Sequence, residues 1–240
     1  MSGTTFSTEQ FSAIYPEGIQ GHYWNHARNM VVVDMLRHAK AKNILDVGAG
    51  AGIVTMYLKN DGWEVVGVEP AQMPQEKEAE GVIFYGKRAE DLPEDMRNKI
   101  DTVLLLDVIE HLEKPQDLIR SLEQVLPNLH NIVITVPARR ELWSNYDVFN
   151  GHFKRYGRND LLATMSGVGW RSLFVNYYFH LLYIPAWLMA RMHVKRNTVI
   201  SAPTGLMKII HDLCAFVFYF EYKILPRRMY GSSVVAVFTK

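Results

Sequence analysis

The hydrophobic period changes several times along the first two thirds of the chain, and each change predicts an element. Residues 24–39 (WNHARNMVVVDMLRHA) repeat apolar positions at a spacing of three through Met30, Val33 and Leu36, with Asn29, Asp34 and Arg37 on the other side. That spacing predicts a helix, expected to pack on a sheet edge with its polar groups in water. Residues 43–47 (NILDV) form an apolar run of strand length, followed by GAGAG and then IVTMYLK at helical period. A second strand over 64–68 (EVVGV) runs into Glu69-Pro70, where proline ends the ladder. Residues 82–85, 102–106 and 131–136 read as further short strands. The alternation predicts an α/β fold with a mostly parallel sheet. Later, residues 173–190 (LFVNYYFHLLYIPAWLMA) run without a formal charge and just reach the length of a membrane span, but Asn176, His180 and Pro185 interrupt them and the first third also reads as a strand. A buried segment, a surface or lipid-facing hairpin and a true span are all readings of this run.

Composition narrows the picture. With 240 residues, 48% of them hydrophobic, one large domain spanning 1–240 is expected. The net charge of +1 removes the polybasic signature of a nucleic-acid partner. Cys214 is the single cysteine, so no intrachain disulfide or thiolate metal cluster can form. No basic stretch leads into an apolar run near the start, so export is not expected and a cytoplasmic location is the default. The near-zero charge is nevertheless an average of unlike parts. Residues 191–228 hold seven basic and two acidic side chains, a net of +5, whereas residues 1–190 sum to −5. The positive part also contains LLYIPAWLMARM and IIHDLCAFVFYFEYKIL. Apolar helices among basic groups suit an oily substrate, an anionic membrane at its inner face, or simple docking on the main domain.

The glycine-rich turn carries the first chemical signal. Gly48, Gly50 and Gly52 follow the first strand, but a dinucleotide fingerprint starting at Gly48 needs glycine or alanine where Ile53 stands. No G-x-x-x-x-G-K-[ST] segment is present either. The glycines still allow close approach of a ligand to the backbone, and Glu69, 17 residues after Gly52, ends the next strand where its carboxylate can accept two ribose hydroxyls. A nucleoside-containing cofactor is the leading reading, and a tight turn with an exposed glutamate is the plain one.

ILDVGAGAG at 44–52, VVGVEP at 65–70, DTVLLLDVIEHLEKP at 101–115 and NIVITVP at 131–137, in that order, resemble the class I S-adenosylmethionine-dependent methyltransferases. The resemblance covers residues 21–178 and resumes at YGSSVVAVFTK, 230–240. It implies a Rossmann-like seven-stranded mixed sheet of order 3-2-1-4-5-7-6, flanked by helices, with a helical insertion at 179–229 before the last strand. It also implies S-adenosyl-L-methionine as cofactor. Carried over by residue, Asp46 would be the loop acid near the cofactor amine, with Gly48, Ala49 and Gly50 giving backbone contact. Glu69 and Pro70 would lie at the ribose and Asp107 beside the methionine part. The family's frequent G-D-A after the third strand is here Gly86-Lys87-Arg88-Ala89, so adenine contacts fall to Ala89 or Glu90. Pro127 to His130 replace a glycine-rich turn before the fifth strand.

Asp107-Val108-Ile109-Glu110-His111 resembles the E-x-x-E-H segment of ubiquinone-biosynthesis O-methyltransferases, in which acidic groups and histidine can hold a divalent ion. Ion binding, a substrate-orienting or proton-relay role for His111, and a structural turn are the competing readings, and no metal is assigned. VPARRELWSNYDVFNGHFKRY at 136–156, with HYWNHARN at 22–29, resembles a narrower branch of the family. Following the fifth strand, this segment is expected to cross the open end of the cofactor cleft, where His152 is the leading base candidate and helix capping or loop packing is its plain reading. Trp143, Arg155 and Tyr156 are expected at the acceptor, with anchoring of the loop as the other reading for the last two. The leading helix, 21–40, brings Trp24 and Arg28 to the cofactor pocket. Tyr183 and Trp187, with Leu181 and Phe216, would hold an apolar acceptor body, and Arg191 or Arg196 its acidic portion. The expected function is methyl transfer to a small hydrophobic or lipid-like acceptor, with oxygen favoured over nitrogen or carbon. An inactive cofactor-binding subunit and a nicotinamide oxidoreductase are the alternatives. Peripheral contact with an anionic membrane or a homodimer through 179–229 are the partner readings beyond the small molecule.

Overall fold

The computed structural model describes residues 8–73, 77–226 and 228–240. Arg227, counted in the positive balance, lies outside them, as do the first seven residues of the stretch read for an export signal. In chain order, α1 (Thr8–Ile14) and α2 (Tyr23–Ala39) precede β1 (Asn43–Val47), α3 (Ile53–Asn60) and β2 (Glu64–Glu69). β3 (Ile83–Tyr85), α4 (Glu94–Arg97), β4 (Thr102–Leu106), α5 (Pro115–Val125) and β5 (Asn131–Pro137) follow. After these come α6 (Asn145–Phe149), α7 (Arg158–Ser166) and β6 (Arg171–Tyr178). The insertion contributes α8 (Tyr183–Arg191) and α9 (Leu206–Ile224), and β7 (Ser233–Thr239) closes the chain.

The strands form one sheet of order β3-β2-β1-β4-β5-β7-β6, as the resemblance implied, parallel through β5 and antiparallel at β7. All five residues of β4 are buried because both faces of the sheet are covered, which is why this strand shows no polar alternation. Its side chains divide between two cores. Val103 and Leu105 pack with Ile119 and Leu122 of α5 and Leu161 of α7, while Leu104 and Leu106 pack with Val32 and Leu36 of α2 and Leu58 of α3.

Two expectations for the leading helix need correction. α2 does not lie at the sheet edge: its apolar residues share a core with β1, β4, β5 and β7, so it crosses the face. Asn29 is buried, not in water, because it shares the helix face of Val32 and Leu36, which pack on the sheet. The uncharged run at 173–190 divides into the end of β6 and the nine-residue α8, and no helix among the described residues is long and apolar enough to cross a membrane. β6 runs antiparallel to β7 and hence in the direction of β5, so residues 179–232 leave the sheet at its carboxyl edge. They return to Ser233, paired with Pro137 at that same edge.

Candidate functional site

The carboxyl ends of β1, β2 and β4 build one half of the site. Gly48 and Ala49 donate backbone N–H bonds to the Val68 carbonyl at 2.9 and 3.1 Å, drawing the turn onto β2. The Glu69 carboxylate then accepts from the Gly50 N–H at 2.8 Å and from the Ala71 N–H at 2.9 Å, one bond on each oxygen. Each oxygen keeps acceptor capacity for a ribose hydroxyl. Gly50 adopts φ 57°, and a Cβ there would lie 2.4 Å from the Tyr15 hydroxyl, so glycine is required both by conformation and by space. Asp46, expected as the loop acid, lies within β1. It is buried beneath the turn and accepts from Thr55 Oγ1 at 2.7 Å. Burial raises its pKa to about 6, against the opposing effects of Thr55 and Arg28.

Arg28 of α2 reaches across to Asp107, just past β4, with Nη1 to Oδ2 at 2.8 Å. Its guanidinium lies over the Trp24 ring at 4.5 Å, and Trp24 stacks on Phe179. Asp107 adopts φ 56°, and the buried Arg28 Nε has no partner among the described residues. The left-handed backbone turns the acid back toward α2. The remaining donor and the open acceptor sites on Glu69 and Asp107 make a polar cradle that fits the amino-acid and ribose ends of the expected cofactor. Pro70 and Glu90 are exposed, and the Ala89 side chain belongs to the core, leaving only its backbone to meet a ligand.

The segment after β5 builds the other half. Ser144 caps α6, and its N–H and hydroxyl both bond Asp147. Asp147 is fully buried and also takes two bonds from Arg155, Nε at 2.8 Å and Nη2 at 3.1 Å. His152 Nδ1 lies 2.9 Å from the same carboxylate. Burial alone would raise the Asp147 pKa, but the bond from His152 and the Arg155 charge win and hold it at about 2. His111 stands edge-on to His152 with ring centroids 4.8 Å apart. Burial and the neighbouring His152 lower its pKa to about 4, so His111 is neutral near pH 7. Glu110 is buried with neither carboxylate oxygen bonded to a described residue, and burial together with Asp107 pushes its pKa well up. Ligand atoms of Glu110, His111 and His152 lie within 4.8 Å of one another, a set that could hold a divalent ion or pass a proton.

A family model described as a methyltransferase domain matches residues 23–173, which include the turn, the Arg28–Asp107 pair and the Asp147–His152 pair. The chain belongs to the class I S-adenosylmethionine-dependent methyltransferase family. Its cofactor is S-adenosylmethionine. The ubiquinone biosynthesis O-methyltransferase of Pseudomonas syringae pv. tomato is 30% identical over 101 residues, 39% of this chain and 44% of that protein. The protein of the same description from Pseudomonas fluorescens is 30% identical over 96 residues, 37% of this chain and 41% of that one. The chain thus spans less than half the length of these relatives. Among solved structures, magnesium protoporphyrin IX methyltransferase from Synechocystis with bound SAH superposes with a TM-score of 0.53 at 14% identity, covering 97% of this chain and 93% of that one. A [4+2]-cyclase gives a TM-score of 0.54 at 16% identity over 90% of this chain and 82% of its own, so the fold alone does not fix the reaction.

Within this methyltransferase domain, two residues expected at the acceptor belong to the frame. Arg155 is buried, with Nη1 on the Ala138 carbonyl at 3.0 Å and its other nitrogens on Asp147. Tyr156 is fully buried and its hydroxyl donates to the Ile109 carbonyl at 3.2 Å. Neither has a free face for a substrate. Trp143 and Trp187 are exposed, and the Tyr183 hydroxyl donates to Glu141 at 3.1 Å. Arg196 lies over the Tyr146 ring, whereas Arg191 is exposed at the end of α8. Sequence reasoning missed Tyr15 and Arg139. The guanidinium of Arg139 sits 3.7 Å from the Tyr230 ring centre and 4.5 Å from that of Tyr177, a contact between residues far apart in the chain that no local motif signals.

Proposed function

We propose that this domain transfers a methyl group to a hydroxyl oxygen of a small, hydrophobic acceptor. The observation that carries this reading is the buried Asp147–His152 pair at the carboxyl edge of the sheet. When bound, S-adenosylmethionine supplies an electrophilic sulfonium methyl group. Glu69 and the backbone of the glycine turn hold the nucleoside end, and Arg28 with Asp107 holds the amino-acid end. Asp147 fixes the proton of His152 on Nδ1, which leaves Nε2 to accept the acceptor's hydroxyl proton as the oxygen attacks in line. Arg155 keeps Asp147 ionised, and so keeps that tautomer. His111, being neutral, orients the acceptor or the base without competing as a cation. Alignment and exclusion of water supply the rest of the rate, and no covalent enzyme intermediate is needed. The exposed Trp143 and Trp187, with Tyr183, provide the apolar and aromatic surface against which the acceptor body lies. O-transfer is preferred because a hydroxyl, unlike a free amine, requires a positioned base.

The test is release of S-adenosylhomocysteine from the full chain with a panel of phenols and catechols bearing apolar tails, alongside amine and carbon acceptors. Transfer confined to the hydroxylated compounds, and lost in His152→Ala with cofactor binding intact, is the expected result. Cofactor binding without transfer to any acceptor would replace this reading with a binding subunit. A second reading, in which a divalent ion at Glu110, His111 and His152 activates the hydroxyl, is favoured by the two unbonded Glu110 oxygens. It predicts that a chelator abolishes transfer and that added divalent ion restores it.

A further inference from the structure

α9 turns its apolar side outward. Leu206, Ile209, Leu213, Phe216, Phe220 and Ile224 recur at spacings of three and four and are each 54–79% exposed. They form one stripe along a 19-residue helix, wide enough to be an interfacial face. The opposite side fixes this orientation. Ala215 and Tyr222 are buried against the α2 core, and the Tyr219 hydroxyl and Lys223 Nζ both bond Asp34 of α2, at 2.8 and 2.9 Å. Glu221 accepts from the His180 and Leu181 N–H groups, at 2.6 and 2.8 Å. The stripe is therefore held outward by specific bonds and is not a core face left uncovered by chance.

The charge of the segment that carries the stripe bears on its partner. Arg191, Lys195, Lys208 and Arg228 are exposed and have no ion-pair partner among the described residues, while the segment's two acids are occupied, Asp212 by His26 and Glu221 by backbone. A second copy docked by a two-fold axis would bring two such positive segments together, which opposes self-association. An anionic bilayer satisfies both the apolar stripe and the cations. We infer that the outward face of α9 seats this domain on an anionic lipid surface, as a peripheral contact. The same insertion is tied to both halves of the site. Ile200 N–H donates to the Ala13 carbonyl beside Tyr15, and Asn145 of α6 exchanges two hydrogen bonds with the Arg196 backbone, at 2.9 and 2.8 Å. Seated this way, the carboxyl edge of the sheet takes an apolar acceptor from the lipid. That last step rests on the proposed methyl transfer, whereas the docking surface stands without it.

The experiment is co-flotation of the full chain with phosphatidylcholine vesicles, with and without phosphatidylglycerol, in parallel with calorimetric titration of S-adenosylmethionine in the absence of lipid. The expected result is binding to the phosphatidylglycerol vesicles that weakens with salt and is at least roughly tenfold weaker on pure phosphatidylcholine, since each surface cation contributes roughly fivefold to partitioning. Phe216→Glu with Phe220→Glu, both at exposed positions, should abolish flotation while leaving the thermal melt and cofactor titration unchanged. Lys208→Gln with Arg228→Gln should weaken flotation without disturbing the stripe. Absence of binding to either vesicle by protein that still titrates cofactor would overturn the inference and leave the proposed reaction standing. A dimer in sedimentation that dissolves in the phenylalanine variant, without flotation of the parent, would equally overturn it in favour of a second copy.

Discussion

α2 and α9 lie against one another on the same side of the sheet and treat water in opposite ways. α2 carries only moderate apolar content, yet even its Asn25, Arg28 and Asn29 are buried, because the sheet covers one side and α9 the other. α9 is far more apolar and keeps only Ala215, Glu221 and Tyr222 buried. Hydrophobicity alone therefore does not report burial. α2 is held between the sheet and α9, whereas the helix of the insertion leaves its apolar side exposed.

This division is tested most strongly at the point where the halves meet. His152→Ala should lower the methyl-transfer rate by roughly 10²–10⁴-fold, the usual contribution of a positioned base, with the affinity for S-adenosylmethionine unchanged. A parallel loss of affinity in calorimetry would show that the two halves are not separable. Leu36→Ala, at a fully buried position of α2, should cost about 2–5 kcal/mol in urea unfolding. Its counterpart Leu213→Ala, at a position 64% exposed in α9, should stay within about 0.5 kcal/mol. Equal losses would abolish the contrast between the helices.

A smaller effect comes from Asp46. Its folded pKa of about 6 lies above the ordinary 3.8, so its contribution to stability is fully present below pH 4 and lost as pH rises through 6. Asp46→Asn should therefore be more stable than the parent by about 1–3 kcal/mol at pH 8, and little different at pH 4, in thermal or urea unfolding. A variant that is destabilised at pH 8 would mean that the Thr55 hydrogen bond outweighs the burial of the charge.

The placement of the glycine turn and the acids at the strand ends was legible in sequence because its signals are local. The glycines, Glu69 and Asp107 sit at the ends of neighbouring strands, and the glycine turn is drawn onto β2 by its bonds to the Val68 carbonyl and the Glu69 carboxylate. What was not legible depends on distant partners. Arg155 and Tyr156 read equally as acceptor groups or as anchors of the loop until Asp147, Ala138 and Ile109 are seen to consume their bonds. The position of α2 across the face, and with it the burial of Asn29, depends on packing against β4, β5 and β7, which lie far along the chain. Tyr15 covers Gly50 through a fold-level contact, and the cradle of tyrosines around Arg139 forms only when Tyr177 and Tyr230 converge on the end of β5.

The most direct measurement is a calorimetric titration of S-adenosylmethionine into the full chain and into Glu69→Ala. Binding at one site per chain is expected in the parent and roughly 100-fold weaker binding in the variant, since the substitution removes the carboxylate that closes the glycine turn and is proposed to meet the ribose. Folded parent protein that gives no binding heat, or a variant that binds as tightly as the parent, would contradict it.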